Sequence, residues 1–327
     1  MTKTVSLFSG CGGLDLGFIN AGFNIIYAND FDKYAVQSYA HNIGDHIIEG
    51  DLSQIDAKDI PTHDVLIGGF PCQPFSMMGS KQGFLDDVRG TLFFDVARII
   101  STHLPKVVVL ENVRNLRTHD KGRTLNTIIN TLESLNYTVQ VDLLNSVEFG
   151  VPQVRNRLFI VCIRNDIAAE MENPYTFPTP TILDTTQVNL QSVLEENVDS
   201  KYYLSHKILP TILAHGSGNY YSKSEIDLTI ARPLTATMAK MHRANQDNYV
   251  TVPSKQAEAA GKTNIRRLTP RECARLQGFP DSYEIIVSDT QAYRQFGNAV
   301  TVNVAECIAI SLKKAIPALH FKEALHV

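Results

Sequence analysis

The residues best able to do chemistry in this 327-residue chain begin with Cys72, in the run Phe70-Pro71-Cys72-Gln73-Pro74-Phe75-Ser76. A lone cysteine is most often a small core residue. Here two prolines stiffen the turn, and the apolar run 64–68 ahead of it reads as a buried strand. Cys72 is thereby expected at the carboxyl end of a sheet, where open α/β folds bind ligands, as a candidate nucleophile. Glu111 directly follows the apolar run 107–110 and is expected at the same edge. It suits either a structural acid or a carboxyl held partly out of water, its pKa raised so that it can donate a proton. In Gln153-Val154-Arg155-Asn156-Arg157, strand alternation would put Arg155 and Arg157 on one face. Two aligned guanidiniums suit a carbonyl, carboxylate or phosphate; singly, such residues are more often surface ion pairs.

A second group points to a cofactor. The first β-prone run ends in Phe8-Ser9-Gly10-Cys11-Gly12-Gly13, where glycine permits a tight turn and close backbone approach to a ligand. Asp15 stands where a dinucleotide fingerprint would have its third glycine, so this turn alone is a weak signal. The second strand ends in Asn29-Asp30-Phe31-Asp32, with a carboxylate placed for ribose hydroxyls and Phe31 as a face for adenine. Gly50-Asp51-Leu52 after the third strand could meet the adenine edge. In this order, the three describe an adenosine-containing cofactor without saying which.

Elements must hold these residues in place. Over the first 165 residues, strand-like runs (4–8, 24–28, 64–68, 106–110) alternate with helical spacing (14–19, 32–41, 92–100, 125–135). That alternation predicts an α/β domain with a largely parallel sheet. A proline-rich connector, 173–180, precedes a stretch from 184 to about 262 with no such rhythm, read as a smaller irregular domain. A helix starting at Thr269-Pro270 and a final amphipathic helix over 300–315 follow. The domains are expected as 1–182, catalytic and cofactor-binding, completed by 296–327, with 183–295 as the small domain.

Composition narrows the classes. At 44% hydrophobic and 20% charged residues the chain can bury a core, which excludes intrinsic disorder. No apolar run is long enough for a transmembrane helix, and no secretory signal is read, so no membrane partner and a cytoplasmic setting are expected. The five cysteines (Cys11, Cys72, Cys162, Cys273, Cys307) are scattered with no CxxC pair, so neither a disulfide framework nor a metal site is expected. Net charge is −4, yet residues 223–275 hold ten Lys/Arg against five Asp/Glu. Such a local excess is either a solvated surface or a polyanion-binding patch.

Together these runs resemble one family, the cytosine-C5 DNA methyltransferases, bacterial restriction–modification enzymes in particular. Further matching blocks are Arg89-Gly90-Thr91-Leu92-Phe93, Glu111-Asn112-Val113, residues 267–280 and Gln295-Phe296-Gly297-Asn298-Ala299-Val300. They span nearly the whole chain in the family's order; only residues 184–262 lie outside, where the family keeps its variable target-recognition region. Asp30 and Phe31 stand where many members carry Glu and Trp, with the chemical roles kept.

The resemblance implies a Rossmann-like S-adenosylmethionine-dependent domain and a smaller target-recognition domain. It implies Cys72 as the thiolate that adds to cytosine C6, Glu111 at N3, Arg157 at O2 and Arg155 alongside. It implies an S-adenosylmethionine pocket from Phe8, Gly10, Cys11, Gly12, Gly13, Asp30, Phe31, Asp51, Leu52, Pro71, Leu92, Asn298 and Ala299. The target base must leave the duplex, and residues 76–89 are the expected loop closing over it. Arg232, Lys240, His242, Arg243, Asn245 and Gln246 are candidate readers of double-stranded DNA. A bacterial, monomeric enzyme paired with a restriction endonuclease is expected.

Other readings explain less. A nicotinamide dehydrogenase leaves the Pro-Cys-Gln, Glu-Asn-Val and Gln-x-Arg-x-Arg blocks without a use, and a passive DNA-binding module has no need of Cys72 and Glu111. The tRNA-directed branch of the same family, with the same chemistry, stays open as the alternative.

Overall fold

The computed structural model describes residues 2–71, 92–182, 184, 188–217, 220–316 and 319. The described chain divides into two compact units. The first comprises residues 1–144, 156–179 and 304–327, the second 145–155 and 180–303.

The first unit is built on a seven-stranded sheet. Its strands are β1 (Lys3–Leu7), β2 (Asn24–Asp30), β3 (Ile47–Glu49), β4 (Val65–Gly69), β5 (Val107–Val113), β6 (Tyr137–Asn145) and β7 (Asn156–Arg164), in the order β3-β2-β1-β4-β5-β7-β6. β1 to β5 are mutually parallel, and β7 runs antiparallel to β5. The central parallel strands β4 and β5 are apolar on both faces, as a sheet covered on both sides requires: Val107 to Leu110 are each 0% exposed. Helices α1 (Gly13–Asn20), α2 (Lys33–Asn42), α3 (Leu92–His103), α4 (Arg123–Ser134) and α5 (Asn165–Ala169) alternate with these strands. Asp32 caps α2 by accepting hydrogen bonds from the Tyr34 and Ala35 amides. β1 leads to β2 on one side while β4 lies on the other, so the strand order reverses between β1 and β4. That reversal opens a crevice at the carboxyl ends of the strands.

Where the sequence shows no βα rhythm, the second unit folds as short antiparallel pieces. A ribbon of β9 (Gly216–Ser217) and β10 (Tyr220–Tyr221) accompanies a sheet of β8 (Tyr203–Ser205), β11 (Tyr249–Thr251) and β12 (Lys262–Arg267) in the order β11-β12-β8. Leu204, Ile212, Ala244 and Tyr249 form its small core. Strands of two to six residues leave too few alternations for a periodic signal. Helices α6 (Leu209–Leu213), α7 (Lys255–Ala259), α8 (Pro270–Arg275) and α9 (Asp289–Asn298) lie in the same unit. Thr269 and Glu272 make a reciprocal capping box at the start of α8. The Glu272 carboxylate also accepts two hydrogen bonds from the fully buried Arg266, at 2.6 and 2.7 Å.

The last helix, α10 (Val302–Ala315), returns to the first unit from residue 304. There Asn20 donates to Glu306, and Lys313 to the carbonyl of Ala21 at the end of α1. Among the described residues no helix is long and apolar enough to cross a membrane. Nor does any described cluster of three or more His, Cys, Asp or Glu suit a metal ion. Cys11, Cys162 and Cys273 are buried thiols, and burial raises the pKa of Cys162 and Cys273.

Candidate active site

Three strand ends of the first unit converge on the cofactor residues. After β1 the chain turns left-handed at Phe8, Gly10 and Gly12 (φ 55°, 57° and 88°). Gly12 is a conformational and steric requirement, because a Cβ there would lie 2.1 Å from the Ile43 side chain. A Cβ at Gly10 would meet nothing within 4 Å, so the backbone there faces open space. The turn is tied to β2: the Ser9 amide donates to the Asn29 carbonyl at 3.0 Å and the Gly10 amide to Asp30 Oδ2 at 2.8 Å. Asp30 Oδ1 accepts the Asp32 amide at 2.8 Å. Burial raises the Asp30 pKa above the ordinary carboxylate value, while these two amides oppose that shift. Next to it Phe31 is 63% exposed, an uncovered aromatic ring beside a buried carboxylate. Asn29 donates to the carbonyls of Ile48 and Gly50 and fixes the exit of β3. Asp51 is exposed and accepts the Ser53 amide. Leu52 sinks its side chain into the core, so only its backbone faces outward chemistry. Cys11 and Gly13 are buried in the turn, Pro71 is exposed and Leu92 half-buried at the start of α3.

The reactive edge is set by ladder register. In the β4–β5 ladder Gly69 lies opposite Glu111, so Glu111 sits beside the strand end that leads through Phe70 and Pro71 into Cys72. In the β5–β7 ladder Val113 lies opposite Arg157. Glu111 and Arg157 are therefore diagonal neighbours on one face. Glu111 is 8% exposed, and Arg157 Nε lies 2.9 Å from its Oε1. Cys72 and the 76–89 loop lie outside the described residues.

Arg155 has a different surrounding. β7 begins at Asn156, so the alternation that would align Arg155 with Arg157 does not reach it. Its guanidinium is 2% exposed and donates to the carbonyls of Leu234 (2.9 Å), Gly297 (2.9 Å) and Ala299 (2.8 Å) within the second unit. Asn298, at the end of α9, is exposed and Ala299 buried.

The six candidate DNA readers all lie in the second unit. Arg232 hydrogen-bonds to the Glu225 carbonyl, and its backbone is paired with the Asn248 amide. The other five cluster on one loop. Lys240 and Gln246 are exposed, and Arg243 is half-exposed. His242 is pinned by Asp247 and Tyr249 through its backbone and by Thr237 through its ring. Asn245 donates to Ser222.

Three braces were not read from the sequence. Asn112 Nδ2 donates to the Phe70 carbonyl at 2.8 Å, tying the segment that follows β4 to β5. Gln153, 0% exposed, joins the Leu276 carbonyl and the Leu234 amide. Gly297 allows the backbone of Thr235 and Ala236 to cross α9, where a Cβ would lie 2.3 Å from Thr235. A glycine inside an otherwise good helix was the available signal for the last.

A doubly wound α/β unit with a crevice at the carboxyl ends of its strands and a buried acid–arginine pair defines the class of open α/β proteins that bind ligands at that edge. Comparison with known proteins makes the class specific. The family model for C-5 cytosine-specific DNA methylase matches residues 2–314. Among curated relatives, the type II methyltransferase M.SsoII of Shigella sonnei is 42% identical over 318 residues, covering 94% of this chain and 79% of its own. M.NlaX of Neisseria lactamica is 40% identical, covering 98% of each. M.HhaI of Haemophilus parahaemolyticus is 37% identical, covering 96% of this chain and 95% of its own. Among solved structures, the S. pombe Dnmt2 methyltransferase shares the fold with a TM-score of 0.75 at 21% identity, covering 96% of this chain and 99% of its own. The chain belongs to the C-5 cytosine-specific DNA methylase family and is a DNA (cytosine-5)-methyltransferase.

Proposed function

We propose that the enzyme methylates C5 of a cytosine extruded from a short specific site in duplex DNA, with S-adenosylmethionine as donor. The Glu111–Arg157 pair beside the exit of β4 is the observation that carries this reading. The cofactor edge fits the donor: open space over Gly10, the Asp30 carboxylate for ribose hydroxyls and the bare Phe31 ring for adenine. Asp51, Leu52, Pro71 and Leu92 are assigned to the same pocket. When bound, S-adenosylmethionine supplies an electrophilic methyl group.

The chain's own residues activate the base. The Cys72 thiolate adds to C6 while Glu111 gives a proton to N3, which leaves C5 nucleophilic. Arg157 holds O2 and orients Glu111. After C5 is methylated, N3 returns its proton to Glu111, and a base, for which water suffices, takes the C5 proton as the C6–S bond breaks, which releases the Cys72 thiolate and restores the ring. Arg155 acts as a positioning residue, holding residues 234 and 297–299. The second unit reads the site through the loop around Lys240, His242, Arg243, Asn245 and Gln246, with Arg232 behind it. The type II names of the relatives support pairing with a restriction endonuclease, and with it a bacterial cytoplasmic setting. A monomer suits action on one strand at a time.

The test is a duplex bearing 5-fluorocytosine at the target. Fluorine cannot leave as a proton, so the expected result is a covalent DNA adduct at Cys72 that survives denaturation. Cys72→Ser should form none while still binding DNA. An adduct at another cysteine, or methyl uptake on tRNA but not on duplex DNA, would overturn the proposal.

A further inference from the structure

We propose that the turn leaving β5, residues 114–121, is a phosphate-binding surface that grips the DNA backbone beside the catalytic edge. This goes beyond the assignment of DNA recognition to the second unit and rests on the enzyme's being a DNA methyltransferase. Arg114, Arg117 and Lys121 are exposed, and none makes an ion pair or side-chain hydrogen bond among the described residues. The acid in the stretch, Asp120, is taken by Arg123. Elsewhere Lys106, Arg164, Lys201, Lys223 and Arg275 each face a carboxylate. Three exposed cations within eight residues, unpaired among the described residues, make a local positive patch in a chain of net charge −4.

Their display is built in. Residues Arg114–Arg117 form a 3-10 turn, in which side chains three apart eclipse, so Arg114 and Arg117 share a side. Leu116, 0% exposed, anchors that turn in the core beneath them. Like charges so aligned repel unless an anion lies between them. Asp120 and Lys121 then take left-handed backbone (φ 49° and 56°) before Gly122. Glu111 and Arg114 lie three residues apart along one chain, about 10 Å at strand rise. A base presented to Glu111 is tethered to its own backbone phosphates, so phosphates must lie near this turn. Arginines and lysine without base-edge geometry fit backbone oxygens, which position DNA without reading sequence.

The experiment measures the affinity of the full chain for a mixed-sequence duplex as a function of salt. Each lost phosphate contact makes the slope of log K against log salt shallower by ~0.9. The triple variant Arg114→Gln, Arg117→Gln, Lys121→Gln should lose up to about 2.7 from that slope. The charge-preserving set Arg114→Lys, Arg117→Lys, Lys121→Arg should keep the wild-type slope. Lys58→Gln, exposed ahead of β4 at the other end of the sheet, should also keep it. A wild-type slope in the Gln variant would overturn the proposal. So would an equal loss in the charge-preserving set, which would mark a structural role. Methyl uptake on genomic DNA is scored separately: its absence in the wild type counts against the enzyme reading, and an unchanged slope counts against this surface alone.

Discussion

Phe31 is the residue whose surroundings say most about the cofactor. A phenylalanine 63% exposed beside a buried carboxylate gains nothing from folding, so a ligand face is the economical use for it. Stacking of a base on an aromatic ring is worth about 1–3 kcal/mol. Phe31→Ala should therefore raise KM for S-adenosylmethionine by about 5- to 150-fold with kcat little changed, read from initial rates at saturating DNA. His63 makes a different kind of prediction. It is 9% exposed, its Nδ1 lies 2.8 Å from the Pro61 carbonyl, and its Nε2 has no partner among the described residues. Burial pushes its pKa down to about 4. The unfolded chain takes up a proton near pH 6.5 that folded His63 refuses until about pH 4. Stability is therefore fully present above pH 6.5 and falls as the pH drops through that window, by about 3 kcal/mol from this group. Urea melts from pH 7 to 4 should show a shallower loss in His63→Gln than in the wild type.

At the scale of elements, α9 shows a local preference overruled by packing. Gly297 in a helix costs about 1 kcal/mol relative to alanine. Gly297→Ala should nevertheless destabilise the protein, because the new Cβ would meet rigid backbone of Thr235 and Ala236 at 2.3 to 2.5 Å. Thermal melting checks the sign: a raised Tm would show that the 234–236 segment yields freely. The same crossing gathers three carbonyls around the Arg155 guanidinium. Leu234, Gly297 and Ala299 each present an acceptor to one buried planar fork, which lysine could not match.

Across the whole molecule, the first unit holds the seven-stranded sheet and the second unit holds the short antiparallel pieces proposed to read DNA. Exchanging the recognition region for that of a relative should change which sequence is methylated and leave the reaction intact. Mapping methylated cytosines in exposed DNA reads the outcome, and unchanged specificity in an active chimera would sink the assignment. The junction matters. Cutting at residue 262 splits β12, whose Lys262 and Arg266 pair with β8 and whose Ile265 to Arg267 pair with β11. An exchange carried through Arg267 keeps both ladders whole and should fold better than one ending at 262.

Much of the catalytic half was legible in the order of residues. Strand and helix periods are local, and the blocks around Gly10, Asp30, Cys72 and Glu111 follow apolar runs that only buried parallel strands explain. The chemical types at those strand ends indicated a ligand-binding edge and an adenosine-containing cofactor, whereas the reaction followed from the resemblance of the blocks to the cytosine-C5 methyltransferases. What tertiary structure decided is partnership across sequence distance. Arg155 and Arg157 look equivalent in the chain, yet one answers a carboxylate across a ladder and the other answers carbonyls 79, 142 and 144 residues away. Asn112 reaches a carbonyl 42 residues back. The small antiparallel sheet escaped the pattern because its strands are too short to repeat. Side-chain type and spacing are properties of a segment, whereas which donor meets which acceptor depends on strand order and register, which set the distances between segments.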